Sequence, residues 1–299
     1  MPRARANGID IEYEATGNPS DVPILLVTGL GAQLITWDDD FCGQLAGRGF
    51  HVIRFDNRDA GLSTHLDAAG PPDMGAALAG NPQPAYRLDD MAADSVGLLD
   101  ALGIDAAHIV GASMGGFIAQ LIAVNHPEHT LSLTSIMSGP SWREGVPPTP
   151  EGSAVLLARP PSTPEESIEL SMWGRSELMG SGDPFDEAVE RAKAQRAVRR
   201  AYYPVGAARQ LVAILAADDR LERLRALRVP TLVIHGDEDV LVPIENGRRV
   251  AAAVPGARLL ELEGMGHDLP RRLWPRVIDA IVETAGEASS VQPGAAWPS

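Results

Sequence analysis

Ala107-His108-Ile109-Val110-Gly111-Ala112-Ser113-Met114-Gly115 is the stretch on which the reading of the whole chain turns. It joins a short apolar run to a helical pattern from about Met114 to Asn125, which must end before Pro127 because proline disfavours helical geometry in its predecessor. A strand that turns directly into a helix strains the residue at the corner, and neighbours two positions away on either side must lack a β-carbon to avoid collision. Gly111 and Gly115 meet that demand, so the Gly-x-Ser-x-Gly pattern stands in the strand-turn-helix context that gives it chemical meaning. Outside that context the pentapeptide would be an incidental Gly/Ser turn. Within it, the Ser113 hydroxyl is held clear of the sheet and the Met114 amide points at a developing oxyanion.

A hydroxyl nucleophile needs a base from elsewhere in the chain. Of seven histidines, His267 follows the flexible turn Gly264-Met265-Gly266 just beyond the apolar run Arg258 to Leu262. The strand ends of an open α/β sheet converge where ligands bind, so this loop can reach Ser113 from far along the chain. His108 and His51 lie within apolar strands and read as satisfied core groups. His126 and His129 flank Pro127-Glu128, where proline breaks the helix that would align them on a metal. His65 sits in a loop without supporting context. The base in turn needs a carboxylate at another strand end to hold its tautomer and stabilise its charged form. Thr231 to Gly236 runs into Asp237-Glu238-Asp239, and Asp239 directly precedes the apolar segment Val240 to Pro243 that would pin it. Asp237 and Glu238 read as solvated turn residues.

The second oxyanion donor is expected from Leu30, because Ile24 to Val27 runs into Thr28-Gly29-Leu30-Gly31. A nucleotide-binding glycine loop fits this stretch poorly: position 34 is Leu, and no phosphate-clasping Lys follows.

Around these residues the chain alternates strands and helices. Asn7-Gly8 between two extended segments predicts an opening antiparallel hairpin. Ile24 to Val27, Phe50 to Phe55, His108 to Val110, Leu131 to Met137, Thr231 to Ile234 and Arg258 to Leu262 are apolar runs suited to strands covered on both faces. Leu88 to Leu102 forms a crossover helix stopped at Gly103, and a last amphipathic helix spans roughly Pro275 to Ala285. The alternation breaks between about Gly139 and Ala217, where several prolines punctuate helices around Glu165 to Met179 and Phe185 to Tyr203. The expected division is a core of 1–138 and 218–285, an inserted helical cap over 139–217, and a disordered Gly/Ser/Pro-rich tail over 286–299. Trp142, Met172, Trp173 and Tyr202 of the insertion are the expected apolar pocket wall.

Composition narrows the partners. The 299 residues carry 40 Asp plus Glu against 25 Lys plus Arg, a net charge of −15, which repels phosphate backbones and anionic lipid. Nucleic acid and membrane partners are therefore not expected, and no apolar run approaches spanning length. A single cysteine, Cys42, and a start without a signal-like apolar core suggest a cytoplasmic protein. Composition does not address oligomeric state.

With Gly111 to Gly115, Thr28 to Gly31, Asp239 and Gly264 to His267 in place, the sequence resembles the α/β-hydrolase superfamily over nearly its whole length. Asp56-Asn57-Arg58-Asp59-Ala60-Gly61-Leu62-Ser63 is similar to that family's structural Asp-x-Arg-x-x-Gly-x-Ser turn. This segment and Gly264 to Pro270 most resemble the aclacinomycin methylesterase branch of polyketide-tailoring enzymes. The resemblance implies a mostly parallel eight-stranded sheet flanked by helices, a serine carboxylesterase without metal or organic cofactor, and a hydrophobic small-molecule ester as substrate. A serine nucleophile argues against the branches that use aspartate. Thr28 departs from the family, where a histidine commonly precedes the oxyanion glycine and braces the loop. A carbon-carbon bond hydrolase acting on β-diketones and a cofactor-free perhydrolase would use the same triad, and a hydrophobic ligand receptor could keep the fold without turnover.

Overall fold

The computed structural model describes residues 2–291. Strands β1 (Arg3–Ala6) and β2 (Ile9–Thr16) form the expected hairpin, with Asn7 and Gly8 at φ 44° and 80° in its turn. Then follow β3 (Val22–Val27), β4 (Phe50–Phe55), β5 (Ala107–Ala112), β6 (Thr130–Ile136), β7 (Thr231–Gly236) and β8 (Arg258–Leu262). They make one sheet in the order β1-β2-β4-β3-β5-β6-β7-β8, antiparallel at β1-β2 and β2-β4 and parallel from β4 onward.

Helices α1 (Asp39–Ala46), α2 (Met74–Leu78), α3 (Leu88–Ala101) and α4 (Met114–Asn125) lie in the first half of the chain. Helices α5 (Pro150–Leu156), α6 (Pro164–Leu178), α7 (Glu187–Arg200) and α8 (Pro204–Leu215) fill the connection from β6 to β7, followed by α9 (Leu221–Leu224). Helices α10 (Ile244–Ala253) and α11 (Trp274–Val291) are the last two among the described residues. The unbroken apolar runs are explained by two cores. Leu25, Val27, Ile53, Ile109, Leu133 and Val233 face α3 and α4, whereas Ile24, Leu26, Val52, Val110, Ile136 and Leu232 face α1 and α11. Successive side chains alternate between faces, and both faces are covered.

The inserted helices attach to loops at the carboxyl ends of the strands. Gln210 of α8 reaches Gly31 after β3, and Arg200 of α7 and Arg209 of α8 reach Asp56 and Asp59 after β4. Thr149 bonds Val240 after β7, and Leu178 of α6 bonds His267 after β8. The expected helix over 185–203 is realised as α7, which stops at Arg200, and a separate helix follows it. Ala201 is extended (φ −160°, ψ 131°) and Pro204 begins α8, since proline suits a first helical turn but cannot continue one.

The last helix also runs further than its expected end at 285. One glycine in a helix costs only about 1 kcal/mol, and here Gly286 is bridged by buried Ala285 and Ala288 and by the Arg258–Glu287 ion pair. Residues 286–291 of the expected disordered tail thus belong to α11, and 292–299 lie outside the described residues. Among the described residues no helix is long and apolar enough to cross a membrane.

Candidate active site

Ser113 sits between β5 and α4 with φ 58° and ψ −122°, a backbone region that L-residues rarely adopt. The surrounding glycines explain how the corner closes. A β-carbon on Gly111 would lie 2.0 Å from the Gly115 carbonyl oxygen, and one on Gly115 would lie 2.2 Å from that of Val27. The turn is held by the Ser113 amide donating to Ile136 O (2.9 Å) and the Gly116 amide donating to Ser113 O (2.8 Å).

Three side chains from three strand ends meet here. Ser113 Oγ is 2.9 Å from His267 Nε2, and His267 Nδ1 is 2.8 Å from Asp239 Oδ2. With Nδ1–H donating to the carboxylate, Nε2 is left to accept the serine proton. Asp239 is buried, and its Oδ1 accepts from the amides of Leu241 (2.9 Å) and Val242 (2.8 Å). Burial pushes its carboxyl up, but attraction to His267 and hydrogen bonding from His235 and His267 outweigh that and hold it below the usual carboxylate range. The apolar segment after Asp239 therefore pins it through backbone donors.

His235 is a contributor that motif reading passed over. Fully buried on β7, it lies 2.6 Å from Val242 O and 3.4 Å from Asp239 Oδ2, so Nε2–H fastens the acid loop. Its ring is accommodated because position 247 is glycine: a β-carbon there would sit 2.3 Å from His235 Nδ1. The neighbouring acids are likewise more than solvated turn residues. Asp237 accepts from the Gly264 amide (2.8 Å), and Glu238 accepts from the Ser181 amide (2.6 Å) and hydroxyl (2.7 Å).

The loop after β3 lies against the serine: a β-carbon on Gly29 would be 3.2 Å from Ser113 Cβ. Among the described residues the backbone amides of Leu30 and Met114 have no hydrogen-bond partner, whereas those of Gly31 and Ala32 are bonded. Two unbonded backbone donors thus belong to segments flanking one hydroxyl.

Residues 22–270 match the α/β hydrolase fold family. The chain belongs to the α/β-hydrolase family. Within it, the chain is 32% identical to the rhodomycin D methylesterase DauP of Streptomyces sp. (strain C5), over 90% of this chain and 92% of that one. It is 31% identical to the rhodomycin D methylesterase DnrP of Streptomyces peucetius, with the same coverages. Among solved structures, the enol-lactonase from Burkholderia xenovorans LB400 shares the α/β-hydrolase fold with a TM-score of 0.75 at 23% identity, covering 95% of this chain and 100% of that one.

The loop after β3 is held by residues that pattern reading did not connect to it. Asn57 Nδ2 donates to Thr28 O and Oγ1, both at 3.1 Å, and Asp56 Oδ1 accepts from the Leu34 amide at 2.7 Å. Both lie in the Asp-x-Arg turn and are buried.

His108 accords with its reading as a core group: burial pushes its pKa down to about 4, and Nδ1 lies 2.8 Å from Ser132 Oγ. The four expected wall residues occupy different environments. Trp142 is half-buried and lines a small cavity with Phe117, Leu241 and Val242, and Met172 is buried on α6. Trp173 is 38% exposed, and the Tyr202 hydroxyl donates to Pro161 O within the insertion (2.9 Å). Helical periodicity marks these side chains as large and apolar but says nothing of which surface each one faces.

Proposed function

We propose that the chain is a serine carboxylic-ester hydrolase whose substrate is a hydrophobic small-molecule ester, of the class of methyl esters of polyketide-type compounds. The observation that carries the reading is the unbroken hydrogen-bonded line from Ser113 through His267 to Asp239. Ser113 Oγ attacks the ester carbonyl carbon while His267 Nε2 takes the hydroxyl proton, giving a tetrahedral intermediate. Asp239 holds the imidazole in the required tautomer and stabilises its charged form. The amides of Leu30 and Met114 donate to the oxyanion; loss of one such donor typically costs about 3 kcal/mol of transition-state stabilisation.

The intermediate collapses by breaking the ester C–O bond. His267 returns its proton to the departing alkoxide, which leaves as methanol from a methyl ester. Water then attacks the acyl-enzyme, giving one proton to His267, and collapse releases the free acid and regenerates the Ser113 hydroxyl. Each step uses this chain's own groups, so the proposal invokes no metal or organic cofactor.

The insertion 139–217 works in this proposal as a cap over the site, with the buried Met172 and half-buried Trp142 as apolar wall. Esters are favoured over β-diketones, peracid formation or mere ligand binding by the likeness to rhodomycin D methylesterases, which extends over nine-tenths of the chain. The test is a substrate panel of p-nitrophenyl esters, aromatic polyketide methyl esters and β-diketones, with wild type and Ser113→Ala. Ester turnover with methanol release from the methyl esters, abolished in the variant, is expected. Diketone cleavage without ester turnover would contradict the proposal.

A further inference from the structure

We infer that Gln210, on inserted helix α8, is the positioning residue of the oxyanion loop, so that the cap helps to build the catalytic apparatus as well as roofing it. This inference rests on the esterase reading above.

Gln210 is fully buried, and both ends of its amide are engaged. Oε1 accepts from the Gly31 amide at 2.8 Å, and Nε2 donates to the Arg58 carbonyl at 2.8 Å. A side-chain amide held at both ends cannot rotate without leaving buried polar groups unpaired. Gly31 directly follows Leu30, so its bonded amide fixes the peptide plane leaving Leu30 and thereby restricts the direction of the Leu30 N–H. Gly31 has φ 65°, and a β-carbon there would stand 3.1 Å from Ala207 Cβ of the same helix, so α8 packs directly on this turn.

Thr28 Oγ1 donates to Ala32 O at 3.4 Å and accepts from Asn57 Nδ2 at 3.1 Å, and the remaining support comes from distant segments. Asn57 holds the start of the loop at Thr28, Asp56 holds its end at Leu34, and Gln210 holds the middle from 179 positions away. Helix α8 is itself fixed next to Gln210, where Arg209 Nε and Nη2 lie 2.8 and 2.9 Å from the two carboxylate oxygens of buried Asp59. A donor used chiefly in the transition state must be aimed before reaction begins, and Gln210 supplies the aim.

The test compares wild type with Gln210→Met, which keeps the length and removes both hydrogen bonds, and with Gln210→Glu, which keeps an oxygen to accept from Gly31. Gln210→Met is expected to lose kcat on the order of 10- to 100-fold, with KM within about threefold. Affinity for a trifluoromethyl ketone, whose adduct with Ser113 presents the oxyanion, should fall in proportion to kcat/KM, whereas affinity for the product acid should hold. Gln210→Glu should lie between Met and wild type, and it carries the same comparison if the Met variant does not fold. A folded Gln210→Met with wild-type kcat and ketone affinity would overturn the inference. So would equal losses in kcat, ketone affinity and product affinity, which mark general damage. A wild-type protein inert to esters and to the ketone would instead remove the esterase reading itself.

Discussion

The backbone amide of His267 donates to the carbonyl of Leu178 at 2.7 Å, so the histidine loop hangs directly from the last turn of helix α6. The two segments run at backbone contact, with the Gly182 amide donating to Gly264 O at 3.0 Å. A β-carbon on Gly266 would sit 2.3 Å from Leu178 O. Gly266→Ala should therefore displace the imidazole and lower kcat on the order of 100-fold, the cost of a misplacement near 1 Å. Steady-state kinetics on variant that is folded by circular dichroism check this.

The same seam contains an ion pair of unequal burial. Asp268 is buried, and its Oδ2 lies 3.1 Å from Arg175 Nη2 of α6, a side chain 29% exposed. Burial pushes the Asp268 carboxyl up despite Arg175 and the donating amides of Gly180 and Gly266. Arg175→Met leaves that carboxylate without its cation and should destabilise the protein by about 2 kcal/mol at neutral pH, discounted from the cost of breaking a fully buried pair because the arginine is partly solvated. A raised folded pKa makes the ionised form the costly one, so the deficit should shrink as pH falls and Asp268 takes up a proton. Urea unfolding of both proteins at pH 7 and pH 5 measures it. An equal deficit at the two values would contradict the assignment.

Asp239→Asn should leave the fold in place and reduce kcat by about 10⁴-fold, because the amide favours the wrong imidazole tautomer. Since the Asp239 carboxyl is held below its ordinary range, it stays charged at neutral and mildly acidic pH. The acid limb of the wild-type kcat/KM profile should accordingly carry no contribution from protonation of Asp239. The lowered carboxyl also contributes stability that is present above the ordinary value of 3.8 and lost as pH falls through the folded value. Unfolding midpoints of wild type and Asp239→Asn should therefore converge in strong acid.

Strain at the serine predicts a trade of stability for function. Ser113 holds φ 58° and ψ −122°, which glycine adopts without penalty. Ser113→Gly should abolish turnover and raise stability by about 1 kcal/mol, a gain readable as a higher thermal midpoint. Ser113→Ala, with its β-carbon kept, should not show that gain.

The residues legible from sequence are those whose chemistry is tied to local pattern. Ser113 stands between glycines at a strand-to-helix junction, His267 follows a glycine turn after β8, and Asp239 precedes an apolar segment after β7. The residues that hold them were not legible. Gln210, Arg175 and Leu178 act through contacts between distant segments, and nothing around them in sequence distinguishes such a glutamine or arginine from a surface one; Asn57 lies in a turn whose pattern was legible, but its contact with Thr28 was not. Prolines marked where the strand-helix alternation breaks, but the expected 185–203 helix stops at Arg200 and Pro204 starts a further helix that local pattern did not separate. Helix α11 outran its expected end because tertiary packing of Ala288 overrode the local cost of Gly286.

The central claim is that Ser113 is a nucleophile activated by His267. The most direct measurement is intact-protein mass and peptide mapping after treatment with a fluorophosphonate. A single adduct on Ser113 in the wild type, slowed by His267→Ala to a small fraction of its rate, is the predicted result. A folded wild type that forms no adduct at Ser113, or that reacts equally fast without the imidazole, would contradict it.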